Sequence, residues 1–171
     1  KENFNVIAGV DNDVSCKYAY EKNNPSEFIY RDIKEFTGRE LKRIYPDGSI
    51  KILIGCAPCQ PFSNINSRKG EDKKWTLLYE FIRLIKEAEP EIISMENVPQ
   101  IVKHQIFNDF IESLKERNYH VFWKIVYCPA YGIPQSRKRL VLLASKFGEI
   151  SLIKETHNPK KYPTVRKAIG N

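Results

Sequence analysis

The chain has 171 residues, 42% of them hydrophobic, enough for one globular domain with a buried core. Its longest apolar runs, at 51–55 and 140–144, fall far short of the roughly 20 residues that cross a bilayer, so a membrane-spanning helix is excluded. Lysines and arginines number 28 against 21 acidic residues, and the net charge of +7 favours a polyanionic partner without naming one. Four cysteines stand in a chain whose start shows no secretory signal. Reduced thiols in a cytoplasmic setting are therefore expected rather than a disulfide framework.

Short apolar runs alternate with amphipathic stretches, the pattern of an α/β domain on a mainly parallel sheet. The first strand is expected at 5–10, closing on Asp11 and Asn12. A helix over 13–22 follows, capped by Asp13 and finished before Pro25. A short strand through 28–30 ends on Arg31-Asp32-Ile33, and a longer one at 50–55 runs into Cys56-Ala57-Pro58-Cys59-Gln60-Pro61-Phe62-Ser63. The polar stretch 64–74, carrying Arg68, Lys69, Lys73 and Lys74 around Gly70, is expected to be the least ordered. Over 76–88 the residues Leu78, Phe81, Ile82 and Ile85 recur on one helical face, with Thr76 as cap and Pro90 as stop. A strand at 91–95 precedes a second such helix over 105–117, with Phe107, Phe110, Ile111 and Leu114 as its inner stripe. Strands at 120–126 and 139–145 complete the sheet, and a short helical pattern at 165–169 closes the tail.

A turn with two prolines and two thiols at the carboxyl end of a parallel strand lies where open α/β sheets place their sites. A thiol there becomes a nucleophile as its thiolate; the plain alternative is an ordinary buried cysteine. The spacing of Cys56 and Cys59 also fits a thiol oxidoreductase, although Pro61 suits the required helix poorly. Zinc would need a second close pair, and Cys16 and Cys128 are isolated, so no metal site is expected. Asp11 ends an apolar strand where doubly wound folds bind ribose hydroxyls, and it also reads as a turn aspartate.

The string Pro58-Cys59-Gln60-Pro61-Phe62-Ser63 resembles the Pro-Cys-Gln signature of the C5 cytosine methyltransferases. Glu96-Asn97-Val98 and Gln135-Ser136-Arg137-Lys138-Arg139, the latter preceded by Tyr131-Gly132-Ile133-Pro134, match two further motifs of that family in the same order. The resemblance implies a Rossmann-like, doubly wound fold of the S-adenosylmethionine-dependent methyltransferase class. Residues 1–148 would be part of its catalytic domain and 149–171 a boundary segment leading toward a target-recognition region. It implies methyl transfer from S-adenosylmethionine to C5 of a cytosine flipped out of duplex DNA.

Cys59 would attack C6, breaking the aromaticity of the ring and pushing electron density onto C5, while Glu96 would protonate or hold N3. Arg139 would contact O2 with Arg137 as helper, and the two side chains are expected to diverge so that one faces the base. Asp11 with Asn12, Asp32 with Ile33, and Pro58 would hold the cofactor, Asp32 reaching the adenine amino group. Gln60 and Asn97 would meet the substrate, with Ser63 and Arg68 on phosphates and 64–74 as a flap.

The family's Gly-rich loop would precede Asn5, and no G-x-G occurs in this sequence; a recognition region and a closing helix would follow Ile169. The chain alone is accordingly expected to be inactive although its parent is an enzyme. Its partners would be double-stranded DNA and a cognate restriction enzyme, with the protein otherwise monomeric in the cytoplasm of a bacterium, or phage-encoded, and associated with the nucleoid. Rival readings are a tRNA cytosine-5 methyltransferase, a non-catalytic DNA-binding homologue and the C-x-x-C oxidoreductase.

Overall fold

The computed structural model describes residues 4–57 and 76–170, arranged as two sheets with helices packed against them. Strand β1 (Ala8–Asp11) pairs in parallel with β2 (Glu27–Tyr30), setting Asp11 opposite Tyr30, and α1 (Cys16–Asn23) makes the crossover. The second sheet has the order β3 (Ile52–Gly55), β4 (Ile92–Asn97), β6 (Lys138–Ser145), β5 (His120–Tyr127). Here β3 and β4 run parallel, joined through α3 (Thr76–Ala88), whereas β6 is antiparallel to both β4 and β5. The Rossmann-like α/β fold is present in a mixed form. The reason is local: residues 128–137 form only a short 3-10 turn, Cys128–Tyr131, and a bend, too little for the crossover that a parallel return needs.

Several boundaries differ from those expected. β1 begins at Ala8 rather than at residue 5, and α1 begins at Cys16 rather than at 13. Asp11 Oδ1 accepts from the Asp13 amide and Asp13 Oδ1 from the Ser15 amide, each at 2.9 Å. Two consecutive side-chain turns thus occupy the stretch assigned to the helix start. The helix α2 (Gly38–Ile44) was not expected at all. Its signal is a capping box, in which Thr37 Oγ1 accepts from the Glu40 amide at 3.2 Å while Glu40 Oε2 accepts from the Thr37 amide at 2.8 Å. The remaining helices, α4 (Gln105–Lys115) and α5 (Val165–Ile169), stand where the periodicity put them.

The main core lies on one face of the four-stranded sheet. Leu78, Phe81, Ile82 and Ile85 of α3 meet Ile106, Phe107, Phe110 and Leu114 of α4 over Ile93, Met95, Leu140, Leu142 and Ala144, and Phe110 stacks on Phe81 with centroids 5.8 Å apart. Burying each such side chain contributes about 1.5–3 kcal/mol. The other flank of α3 turns Leu84 and Ala88 onto Phe36 and Leu41, with Val10 of β1 and Leu53 of β3 packed beside them. One helix therefore anchors both sheets, and the strand ends that carry the polar residues are held by it.

Candidate active site

Alternation along β4 separates two roles. Ile93, Met95 and Asn97 face the core, while Ser94 and Glu96 face the opposite, open side. Strand β4 runs two residues further than expected, so Glu96 is fixed by the ladder, opposite Val141 of β6, rather than hanging from a loop. On β6 the same alternation buries Leu140 and Leu142 and leaves Arg139 and Val141 on the Glu96 side.

Three side chains converge on the Glu96 carboxyl. Arg139 Nε lies 2.7 Å from Oε1, Arg137 Nη2 lies 3.8 Å from the same oxygen, and the Cys56 thiol donates to Oε2 at 3.0 Å. The expected divergence of the two arginines is thus corrected. Residues two apart along a strand point to the same side, and both here reach one carboxylate. Arg139 also donates from Nη1 to the Lys138 carbonyl at 2.8 Å, which fixes its guanidinium plane and leaves Nη2 available for a ligand.

Asn97 was expected to meet the substrate, but its side chain is turned inside, 3% exposed. Its Nδ2 donates to the Ala57 carbonyl at 3.2 Å and its Oδ1 accepts from the Val98 amide at 2.8 Å. The amide thereby latches the chain leaving β3 to the end of β4. Just before that point Gly55 lets the chain pass close to the core, because a Cβ there would stand 2.5 Å from Cζ of Phe81 and the ring would have to shift.

A cleft of about 390 Å³ opens beside Glu96, with Gln135, Arg137 and Arg139 at its polar rim and Val126, Cys128, Tyr131, Ile133, Val141 and Leu152 as its apolar wall. The tail forms part of that wall. The Thr156 and His157 amides both donate to the Ala130 carbonyl, at 2.9 and 3.0 Å, Lys124 pairs with Glu155 at 3.0 Å, and Tyr127 meets Tyr162 edge to face. Gly132, at φ 87°, adopts a left-handed conformation, and a Cβ there would stand 3.1 Å from Cε1 of the His157 ring. A larger cleft, about 540 Å³, lies by α2 among Arg39, Lys42, Arg43, Tyr45, Asp47 and Glu87 and includes no sequence-predicted site residue.

Asp11 and Asp32 stand at the carboxyl ends of the two parallel strands β1 and β2, both exposed or half-exposed. Each spends Oδ1 on a local turn, Asp11 with the Asp13 amide and Asp32 with the Lys34 amide, at 2.9 Å. Asn12 is exposed beside them, whereas Ile33 packs against the second core cluster. Pro58, Cys59, Gln60, Ser63 and Arg68 lie outside the described residues. Two contributors went unread in the sequence: Cys56 as a partner of Glu96, and Leu152 as cleft wall. The first is implied by register, since Gly55 pairs with Met95 and the next residues are Cys56 and Glu96.

The same architecture is found in solved structures. The fold superposes with a TM-score of 0.79 on a DNA modification methyltransferase of E. coli encoded within a prophage, at 23% identity over 98% of this chain and 48% of that one. It also matches the Dnmt2 methyltransferase of S. pombe, with a TM-score of 0.69, 19% identity, and coverage of 86% and 43%. At these identities the likeness concerns the fold. The sequence model of the C-5 cytosine-specific DNA methylase family matches residues 1–171, and the chain belongs to that family.

Among curated relatives, the Type II methylase M.HgiDII of Herpetosiphon aurantiacus is 54% identical over 99% of this chain and 49% of its own length. The Type II methyltransferase M.MthTI of Methanothermobacter thermautotrophicus is 31% identical over 100% of this chain and 51% of its own. The chain thus spans about half the length of these relatives.

Proposed function

We propose that the protein transfers a methyl group from S-adenosylmethionine to C5 of a cytosine flipped out of duplex DNA, through a covalent bond from Cys59 to C6. The observation that carries this reading is the Glu96 carboxyl held between Arg139 and Cys56, at the end of a strand whose parallel neighbour ends at Gly55, four positions before Cys59 in the sequence. Family membership and the Type II names of the relatives support DNA as substrate and a paired restriction enzyme as cellular partner. Among the described residues no helix is long and apolar enough to cross a membrane, and a cytoplasmic monomer acting at the nucleoid fits this role.

Asp11 and Asp32 fit the cofactor by the chemistry of their donor set. Two carboxylates at adjacent parallel strand ends, each with Oδ1 committed to a turn, keep their second oxygens for a ribose hydroxyl pair and an adenine amino group. S-adenosylmethionine supplies an electrophilic methyl group when bound.

The protein's own residues do the rest. The Cys59 thiolate adds to C6 and the ring gains electron density, which becomes nucleophilic at C5 when N3 is held by a donor. Glu96, in its protonated form, provides that donor. Arg139 keeps the Glu96 carboxyl aligned through Nε and offers Nη2 to the O2 oxygen, where negative charge develops. Arg137 adds a second, more distant positive charge. After methyl transfer a solvent water takes the C5 proton, the C5–H electrons restore the C5–C6 double bond, the sulfur leaves C6 as the Cys59 thiolate, and aromaticity returns.

Incubation of the full-length protein with methyl-labelled S-adenosylmethionine and either duplex DNA or tRNA tests the reading. Label recovered as 5-methylcytosine in DNA is expected, with Glu96→Gln lowering the rate about a hundredfold. Label in tRNA alone would transfer the assignment to RNA, and label in neither would contradict it.

A further inference from the structure

Main-chain pairing between β3 and β4 stops at Gly55 opposite Met95, yet the two chains remain tied by side chains at the next two positions. The Cys56 thiol donates to Glu96 Oε2 at 3.0 Å, and Asn97 Nδ2 donates to the Ala57 carbonyl at 3.2 Å. We propose that Cys56 is a positioning residue for Glu96, fixing the plane of the carboxyl in which it meets the target base. This rests on the function proposed above and deepens it.

The Glu96 side chain is 38% exposed, so hydrogen bonds rather than packing decide how its carboxyl lies. The terminal torsion of a glutamate is broad, and contacts on one oxygen alone, Arg139 Nε at 2.7 Å and the more distant Arg137 Nη2 at 3.8 Å on Oε1, leave it free to turn. The thiol on Oε2 supplies the second point and removes that freedom. Sulfur is a weak donor and a weak acceptor, so it orients the carboxyl in either protonation state without competing strongly for the proton that belongs to N3. The same bond joins the acid to the root of the segment that carries Cys59. Cys56 is exposed, which means that truncating it removes little buried volume and spares the fold.

The test compares the full-length protein with Cys56→Ala and Cys56→Ser in steady-state and single-turnover methylation of duplex DNA. Loss of one hydrogen bond to the carboxyl should lower kcat and the single-turnover rate in Cys56→Ala by about three- to tenfold. The KM values for DNA and S-adenosylmethionine should stay within about twofold. Serine retains a donor at the same place, and Cys56→Ser should recover most of the lost rate. A Cys56→Ala protein as fast as the unchanged one would overturn the positioning role, as would a loss confined to KM or a serine variant no better than alanine. If the unchanged protein itself methylates nothing, the function falls and the positioning role with it, an outcome distinct from an active protein indifferent to Cys56.

Discussion

The two sheets of the molecule are built to different standards. In the four-stranded sheet, α3 and α4 bury complete apolar stripes, and Ile93, Met95, Leu140 and Leu142 of the two central strands are fully enclosed. In the β1–β2 pair, α1 buries none of its residues, and its main hold is Tyr20, tilted over Phe28 with centroids 5.8 Å apart. The groups assigned to base chemistry, Glu96 and Arg139, thus stand on the packed frame. The carboxylates assigned to the cofactor, Asp11 and Asp32, stand on the lighter one and are oriented by local turns. The difference fits the demands of the two tasks, since reacting groups must be held within a fraction of an ångström while a binding contact tolerates more movement.

That contrast is open to test. Phe110→Ala, at a site with 0% exposure, should destabilise the protein by about 3–5 kcal/mol in urea denaturation. Tyr18→Ala on α1, 74% exposed, should change it by about 0.5 kcal/mol or less; comparable losses would erase the distinction between the sheets. On the chemical side, Arg139→Ala should cost about a hundredfold to a thousandfold in kcat, and Arg137→Ala, the more distant partner of Glu96, about tenfold or less. Steady-state kinetics would separate them.

Asp11→Asn should raise the KM for S-adenosylmethionine about tenfold while leaving kcat near its original value. The smallest effect concerns α2. The Thr37 amide and hydroxyl, with Arg31 beside them, hold Glu40 down to about 2 from an ordinary 4.5. A carboxyl depressed in the folded state stabilises fully above its ordinary titration range, and that contribution fades as the pH falls toward the folded value. Amide hydrogen exchange at Leu41 should accordingly speed up between about pH 4.5 and pH 2 relative to the α3 core, and Glu40→Gln, which removes the titrating carboxyl, should abolish that dependence.

Where periodicity and packing coincide, the sequence was readable. The stripes of α3 and α4 put Leu78, Phe81, Phe107 and Phe110 in the core as expected, because a 3.6-residue period is a direct consequence of burying one helix face. Helix α2 escaped notice since it is short and its signal is a four-residue capping box rather than a stripe. The start of α1 was misplaced because Asp13 serves a turn before the helix instead of capping it.

At the site, the motifs located Glu96 and both arginines, but their mutual contacts depend on strand register between segments far apart in sequence. Register joined Cys56 to Glu96 across 40 positions and turned Asn97 inward, while the docking of the tail after β6 brought Leu152 to the cleft. No local pattern encodes those three outcomes.

The most direct test of the central claim is covalent trapping. A duplex carrying 5-fluorocytosine at candidate sites, which blocks loss of the C5 substituent after methyl transfer, would be incubated with S-adenosylmethionine and the full-length protein or its Cys59→Ser variant, then run on a denaturing gel. A shifted, denaturant-resistant band with the unchanged protein and none with Cys59→Ser is the predicted result. A band of equal strength in both would remove Cys59 as the nucleophile, and no band in either would contradict covalent methyl transfer to cytosine in DNA.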